Sequence, residues 1–224
     1  VRHTPAPAPR APSALLAASA LLSPLLWPLL SCAAAPAPLL WDAVPGPYVD
    51  ALRDWTRAAE RFEELEGRLF VSATLLSPTF ERARAAELAA RLDLTADERR
   101  REEQALARRA AEQRLFFVAL ATQEHVHNDL RPRGGPFAAH LLVGEEALPA
   151  SWVTEVATQE QVALQRLFPA LTSLHRGYWV SFPAAPASAA PRLRVSGLPG
   201  AVTLSWELGA DGGAPRGALE GGAP

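Results

Sequence analysis

Apolar positions change their period several times along this chain, and each change predicts an element. Tyr48, Leu52, Trp55, Ala59 and Phe62 recur at three- and four-residue spacing, which puts them on one stripe of an amphipathic helix over 48–65, ended by Gly67. At Leu69 the period becomes two: Leu69, Val71, Ala73 and Leu75 fall on one face, with Ser72 and Thr74 on the other, the pattern of a half-buried strand over 69–75. Ser77-Pro78 punctuates, and 80–92 is again helical. Thr95 and Glu98 have the spacing of a capping box, which opens a second, highly charged helix running to about residue 114.

Beyond that helix the pattern predicts mostly strands, at 115–122, 137–143, 152–157, 178–182, 193–196 and 202–207, with one short helix over 160–168 closed by Pro169. Short strands separated by Gly and Pro turns, such as Gly197-Leu198-Pro199-Gly200, favour antiparallel pairing over a parallel sheet. The expected fold is therefore α+β: an antiparallel, immunoglobulin-like β-sandwich of about seven strands, with an N-terminal helix and a helical insertion packed on one side.

The N-terminal segment has a different pattern. Arg2, His3 and Arg10 precede an apolar stretch over 14–30, and small residues surround the sole cysteine in Leu29-Leu30-Ser31-Cys32. A positive start, an apolar core and a small-residue cleavage point make an export signal over 1–31, and a cysteine at the cut marks it for lipidation. Seventeen residues rise only about 25 Å as a helix, short of a roughly 30 Å hydrocarbon core, and Pro24 and Pro28 would break such a helix near its end. The competing reading is an ordinary secretory signal cut after Ala33, Ala34 or Ala35. With the chain starting at Cys32, no other thiol remains, so no disulfide can staple the fold. Membrane attachment then rests on acyl chains, each buried methylene contributing about 0.8 kcal/mol.

Ala and Pro dominate 32–47, which reads as an extended tether, and Gly, Ala and Pro dominate 209–224, which reads as a disordered tail. A single globular domain over 48–208 lies between them. All 22 basic residues are Arg, there is no Lys, Ile or Met, and Asn128 is the only Asn. That skew is the mark of a GC-rich coding sequence and says nothing about activity. Removing the signal leaves 20 Arg against 24 acidic residues, a formal charge of −4. Such a chain is a poor partner for nucleic acid. Arg99-Arg100-Arg101 and Arg108-Arg109 do not change this, because Glu102, Glu103 and Glu112 interleave at helical spacing above Leu106 and Ala110.

Three constellations invite a chemical reading. In His125-Val126-His127-Asn128-Asp129, two rings one residue apart would point the same way in an extended segment, and Asp129 or His140 would complete a metal site. The bland alternative is solvent-facing rings before a turn that Asn128 and Asp129 fix by local side-chain bonds. Ser72, Ser77, Ser151, Ser173 and Ser181 lack the Gly-x-Ser-x-Gly elbow of a hydrolase, although Ser173 is close to His175 in sequence. The pairs Glu63-Glu64 and Glu145-Glu146 lack an apolar pocket signature. No phosphate-binding Gly loop or nucleotide fingerprint is present, so no cofactor is expected.

Leu75-Leu76-Ser77-Pro78-Thr79-Phe80, then 117–122 followed by Asn128-Asp129-Leu130, then Leu167-Phe168-Pro169, then Tyr178 with Phe182-Pro183, occur in an order that resembles a group of bacterial lipoproteins of unassigned function from GC-rich soil deltaproteobacteria. The resemblance covers roughly 48–206. It implies an envelope lipoprotein without an assigned reaction. Members carry an aromatic residue just before Asn-Asp-Leu, which implies a packing role for His127.

The sequence thus leads to a lipid-anchored protein of the cell envelope, a non-catalytic interaction or structural module with an unidentified envelope protein partner. Ala33 stands where inner-membrane retention would need Asp, so the outer membrane, facing the periplasm, is the expected address. Asn128 and Asp129 are the candidate contacts to a ligand or partner. The alternatives are a metal-dependent periplasmic enzyme using His125, His127 and Asp129, and a carrier holding a lipid or other ligand between its layers.

Overall fold

The computed structural model describes residues 46–63, 66–131, 134–184 and 190–208, without the side chains of 63 and 66–68. The expected signal over 1–31, Cys32, nearly all of the tether and the tail over 209–224 lie outside the described residues. Among the described residues, no helix is long and apolar enough to cross a membrane.

The elements run α1 (Pro47–Trp55), β1 (Thr56–Glu63), β2 (Glu66–Leu75), α2 (Pro78–Leu92), α3 (Ala96–Glu112), β3 (Gln113–Thr122), β4 (Phe137–Val143), β5 (Glu146–Pro149), β6 (Trp152–Glu155), α4 (Thr158–Gln165), β7 (Arg176–Pro183), β8 (Arg192–Gly197) and β9 (Gly200–Ser205). They build an α+β fold with two antiparallel sheets. One has the order β1-β2-β3-β7-β6 and the other β5-β4-β8-β9. The described residues therefore hold nine strands, not about seven.

The first difference from expectation lies in the N-terminal helix, which stops at Trp55 and gives way to β1. Arg57-Ala58-Ala59-Glu60-Arg61 has good helix propensity, yet β1 pairs with β2 from Thr56↔Thr74 onward, and a ladder of that length overrides a weak local preference. Thr56 and Thr74 share a hydroxyl bond of 2.9 Å at its start. Phe62, placed on the helical stripe by its spacing, is instead 54% exposed and meets Phe70 edge-on. The second difference is β5. Four residues containing Glu146 and Pro149 give little strand signal, but Gly144, at φ 61°, turns the chain so that Val143 faces Glu146.

α3 starts at its expected capping box, and α2 starts at Pro78, two residues before the expected 80. Ser77 caps α2, its hydroxyl accepting from the Phe80 amide at 3.1 Å, with Pro78 in the first turn. The Thr95 hydroxyl accepts from the Glu98 amide at 3.3 Å, and the Glu98 carboxylate accepts from the Thr95 amide at 2.9 Å, the reciprocal box that opens α3. Glu98 is held below its usual pKa by its bonds to the Thr95 hydroxyl and amide. Asp97 pairs with Arg100 and Glu103 with Arg99, while Leu106 is the buried residue of that helix.

Both sheets contribute to one buried cluster. From the first sheet come Val71, Phe116, Val118, Tyr178 and Val180; from the second come Phe137, Leu141, Leu193, Val195 and Leu204. The opposite face of the first sheet carries Thr74, Phe117, Gly177 and Trp179, and there α1, α2 and the chain around Phe168 cover it. Tyr48 of α1 donates to the Leu167 carbonyl at 2.7 Å, and Phe168 stacks on Phe117 at 4.0 Å. Gly177 keeps this contact close, since a Cβ there would sit 3.1 Å from Val156 and 3.2 Å from Phe117 and those side chains would have to give by a few tenths of an ångström. α2 and α3 are an insertion between β2 and β3, neighbours in the sheet, as the pattern predicts.

Candidate functional site

His125 and His127 lie in a single 3-10 turn over His125–His127, so the extended geometry that would align their rings is not adopted. Both are exposed, and His127 Nδ1 faces a Glu124 carboxylate oxygen at 3.5 Å. His140 lies on β4, opposite Pro149 and Arg194. Among the described residues, no three His, Cys, Asp or Glu side chains come together as metal ligands.

The next two residues are used within the chain. Asn128 is fully buried; its Oδ1 accepts from the Thr122 amide at 2.6 Å and the Thr122 hydroxyl at 2.8 Å, and its Nδ2 donates to the Leu174 carbonyl at 2.9 Å. The Tyr178 hydroxyl donates to the Asn128 carbonyl, and burial pushes that phenol up to about 12. Asp129 accepts from the Arg131 amide at 2.9 Å and from its guanidinium, and these bonds hold its carboxyl below the usual value. The geometry gives both residues the turn-fixing role. Asn128 clasps the end of β3 to the segment before β7, and Asp129 ties the turn to Arg131.

Two of the serines also have structural duties. Ser77 is the helix cap, and Ser181 donates to Gln113 Oε1. His175 pairs with the Thr172 hydroxyl at 2.8 Å, not with Ser173, and burial lowers its pKa. Glu145 and Glu146 occupy the exposed turn and start of β5, and the Glu63-Glu64 side chains lie outside the described residues.

A cleft of about 250 Å³ opens elsewhere, on the helix-covered face of the first sheet. α2 supplies Glu81 and Arg84, α3 supplies Arg109, β6 supplies Trp152 and Thr154, and β7 supplies Trp179, above Leu76 and Leu115. The Ser77 cap fixes where α2 begins and so sets Glu81 in its first turn, three residues before Arg84. Arg84 Nε donates to Glu81 Oε2 at 2.6 Å, with the two side chains 11% and 3% exposed. Burial pushes the Glu81 carboxyl above its usual value against the pull of Arg84. The Arg84 guanidinium lies 5.9 Å from the centre of the Trp179 ring, a cation–π contact that fixes both groups.

Trp179 is also held edge-on by Phe117 and Phe168, at 4.9 and 5.9 Å. Trp152 is 38% exposed, and its indole N–H donates to Gln113 Oε1 at 3.3 Å. The cleft thus joins an anchored ion pair, a second guanidinium and two indoles on rigid elements. No sequence signal points to it. Glu81 and Arg84 look like any i, i+3 helix pair, and only the sheet register brings Trp152 and Trp179 to the same face.

No protein-family model and no curated protein matches the chain. Among solved structures, it is similar to a protein of unknown function from Burkholderia pseudomallei, at 10% identity and a TM-score of 0.38, over 70% of this chain and 80% of that one.

Proposed function

We propose that the chain is a lipid-anchored protein of the bacterial cell envelope whose two-sheet body is a non-catalytic binding module. The observation that carries the anchor is Leu29-Leu30-Ser31-Cys32 at the end of an apolar stretch led by Arg2 and Arg10. The Cys32 sulfur takes diacylglycerol as a thioether, after which the signal is cut away. Ala33 in place of Asp directs the product to the outer membrane, facing the periplasm. In this reading the sheets form a β-sandwich, supported by the single cluster that draws Phe116 and Val180 from one sheet and Leu141 and Leu193 from the other. Its binding face is the Glu81–Arg84–Trp179 cleft, which a rigid scaffold holds open for a ligand.

Incorporation of labelled palmitate tests the anchor. The parent chain is expected to label and to partition with membranes, whereas Cys32→Ala loses both. A Cys32→Ala chain that labels as strongly as its parent removes the anchor from the account.

A further inference from the structure

The polar groups around the cleft are unevenly satisfied. Among the described residues, Glu81 Oε1 has no hydrogen-bond partner, although the side chain is 3% exposed and its other oxygen is held by Arg84. Among the described residues, the exposed Thr154 hydroxyl has no protein partner, and the exposed Arg109 has neither an ion pair nor a side-chain hydrogen bond, although its charge reaches Glu81. The lining therefore offers one acceptor, one hydroxyl and one free guanidinium, with a net charge of one positive unit from Arg84, Arg109 and Glu81. Both indoles line the cleft, and among the described residues they make no ring contact with each other.

We infer that this cleft binds one acidic sugar ring of the hexuronate kind, with its carboxylate on Arg109, ring hydroxyls on Glu81 Oε1 and Thr154, and its apolar C–H face against an indole. The volume suits a single ring and not a drug-sized ligand, for which pockets run from roughly 300 Å³ upward. A hydroxylated ring fits better than an aromatic acid, because an aromatic acid would bury Glu81 Oε1 and Thr154 without partners. A neutral sugar would leave the Arg109 guanidinium unused. The inference deepens the binding-module reading above and rests on it. The ring is either a free sugar acid or the exposed end of a glycan.

Titration of the detergent-solubilised full chain with D-glucuronate, D-glucose and benzoate, followed by calorimetry, tests it. D-glucuronate is expected to bind saturably, and D-glucose and benzoate at least about tenfold more weakly. Arg109 is exposed, so Arg109→Gln folds normally and is expected to weaken D-glucuronate about tenfold, one charge-assisted contact, while leaving D-glucose unchanged. Trp152→Ala weakens both sugars. A glucuronate-terminated oligosaccharide that binds more tightly than the free acid identifies a glycan end as the source, and equal affinity identifies the free sugar acid. Absence of saturable D-glucuronate binding, equal affinity for all three probes, stronger binding of benzoate, or an Arg109→Gln chain that binds like the parent overturns the inference. Palmitate labelling separates the two accounts: a labelled chain that ignores D-glucuronate loses the ligand and keeps the anchor.

Discussion

Trp206→Ala is expected to lower unfolding stability by about 3–5 kcal/mol, the range for emptying the site of a large buried aromatic ring. Trp206 follows β9, is fully buried, and rests against Phe116 of the other sheet with ring centres 5.2 Å apart. Its indole N–H donates to the Trp55 carbonyl at 2.8 Å. That carbonyl belongs to the last turn of α1, where helical acceptors have no partner of their own, so the bond finishes the helix at the point where the chain becomes β1. One side chain thus joins the end of the second sheet to β3 and to the α1–β1 corner. Removing it leaves a cavity between the sheets and an unsatisfied carbonyl. Trp206→Phe keeps most of the apolar contact and loses only the bond, so a cost of about 1–2 kcal/mol is expected. Urea unfolding checks both. Trp206→Ala at parental stability would mean that the sheets are not held together at this ring.

Asn128→Ala is expected to cost on the order of 3 kcal/mol. It removes the acceptor of the Thr122 amide and the donor to the Leu174 carbonyl, while the Thr122 hydroxyl keeps the Glu124 carbonyl as its acceptor at 2.8 Å, and each part-buried group left unpaired costs about 1–3 kcal/mol. Asn128→Asp keeps the acceptor but sets a carboxylate oxygen against the Leu174 carbonyl, so it is expected to be at least as harmful at neutral pH. Protonating that carboxylate restores a donor, and because its pKa is then raised in the folded state, the Asp variant should regain part of its stability as pH falls towards about 4, the unfolded value, below which the gain is complete. Thermal unfolding across pH measures the series. Parental stability in Asn128→Ala would return this side chain to a role in recognition, where the sequence alone leaves that role open.

How far the sequence could be read depended on where the deciding bonds lay. The Thr95–Glu98 box is local, complete within four residues, and that helix start was legible; Ser77-Pro78 was legible as a break, although the helix it caps begins at Pro78 and not at 80. The alternation of Leu69, Val71, Ala73 and Leu75 was legible because one face of β2 meets the core along its length. The segment after Trp55 was not, since its strand form comes from the ladder to β2 and from a tryptophan 151 residues on. β5 was invisible for a similar reason: β4 supplies the ladder that its composition does not advertise. In the candidate site, Asn128 could be picked out as a lone Asn in a skewed chain, but its three bonds had to be seen before the turn-fixing role could be preferred. The cleft had no sequence signature, because it gathers α2, α3, β6 and β7 around side chains that are ordinary in their own segments.

Membrane attachment through Cys32 is tested most directly by the mass of the arginine-bounded peptide Cys32 to Arg53 from protein isolated from native envelopes. The account predicts that this peptide begins at Cys32 and carries the added mass of a diacylglycerol thioether. An unmodified Cys32 still joined to residues 14–30, or a chain beginning at Ala33 or beyond, would contradict it.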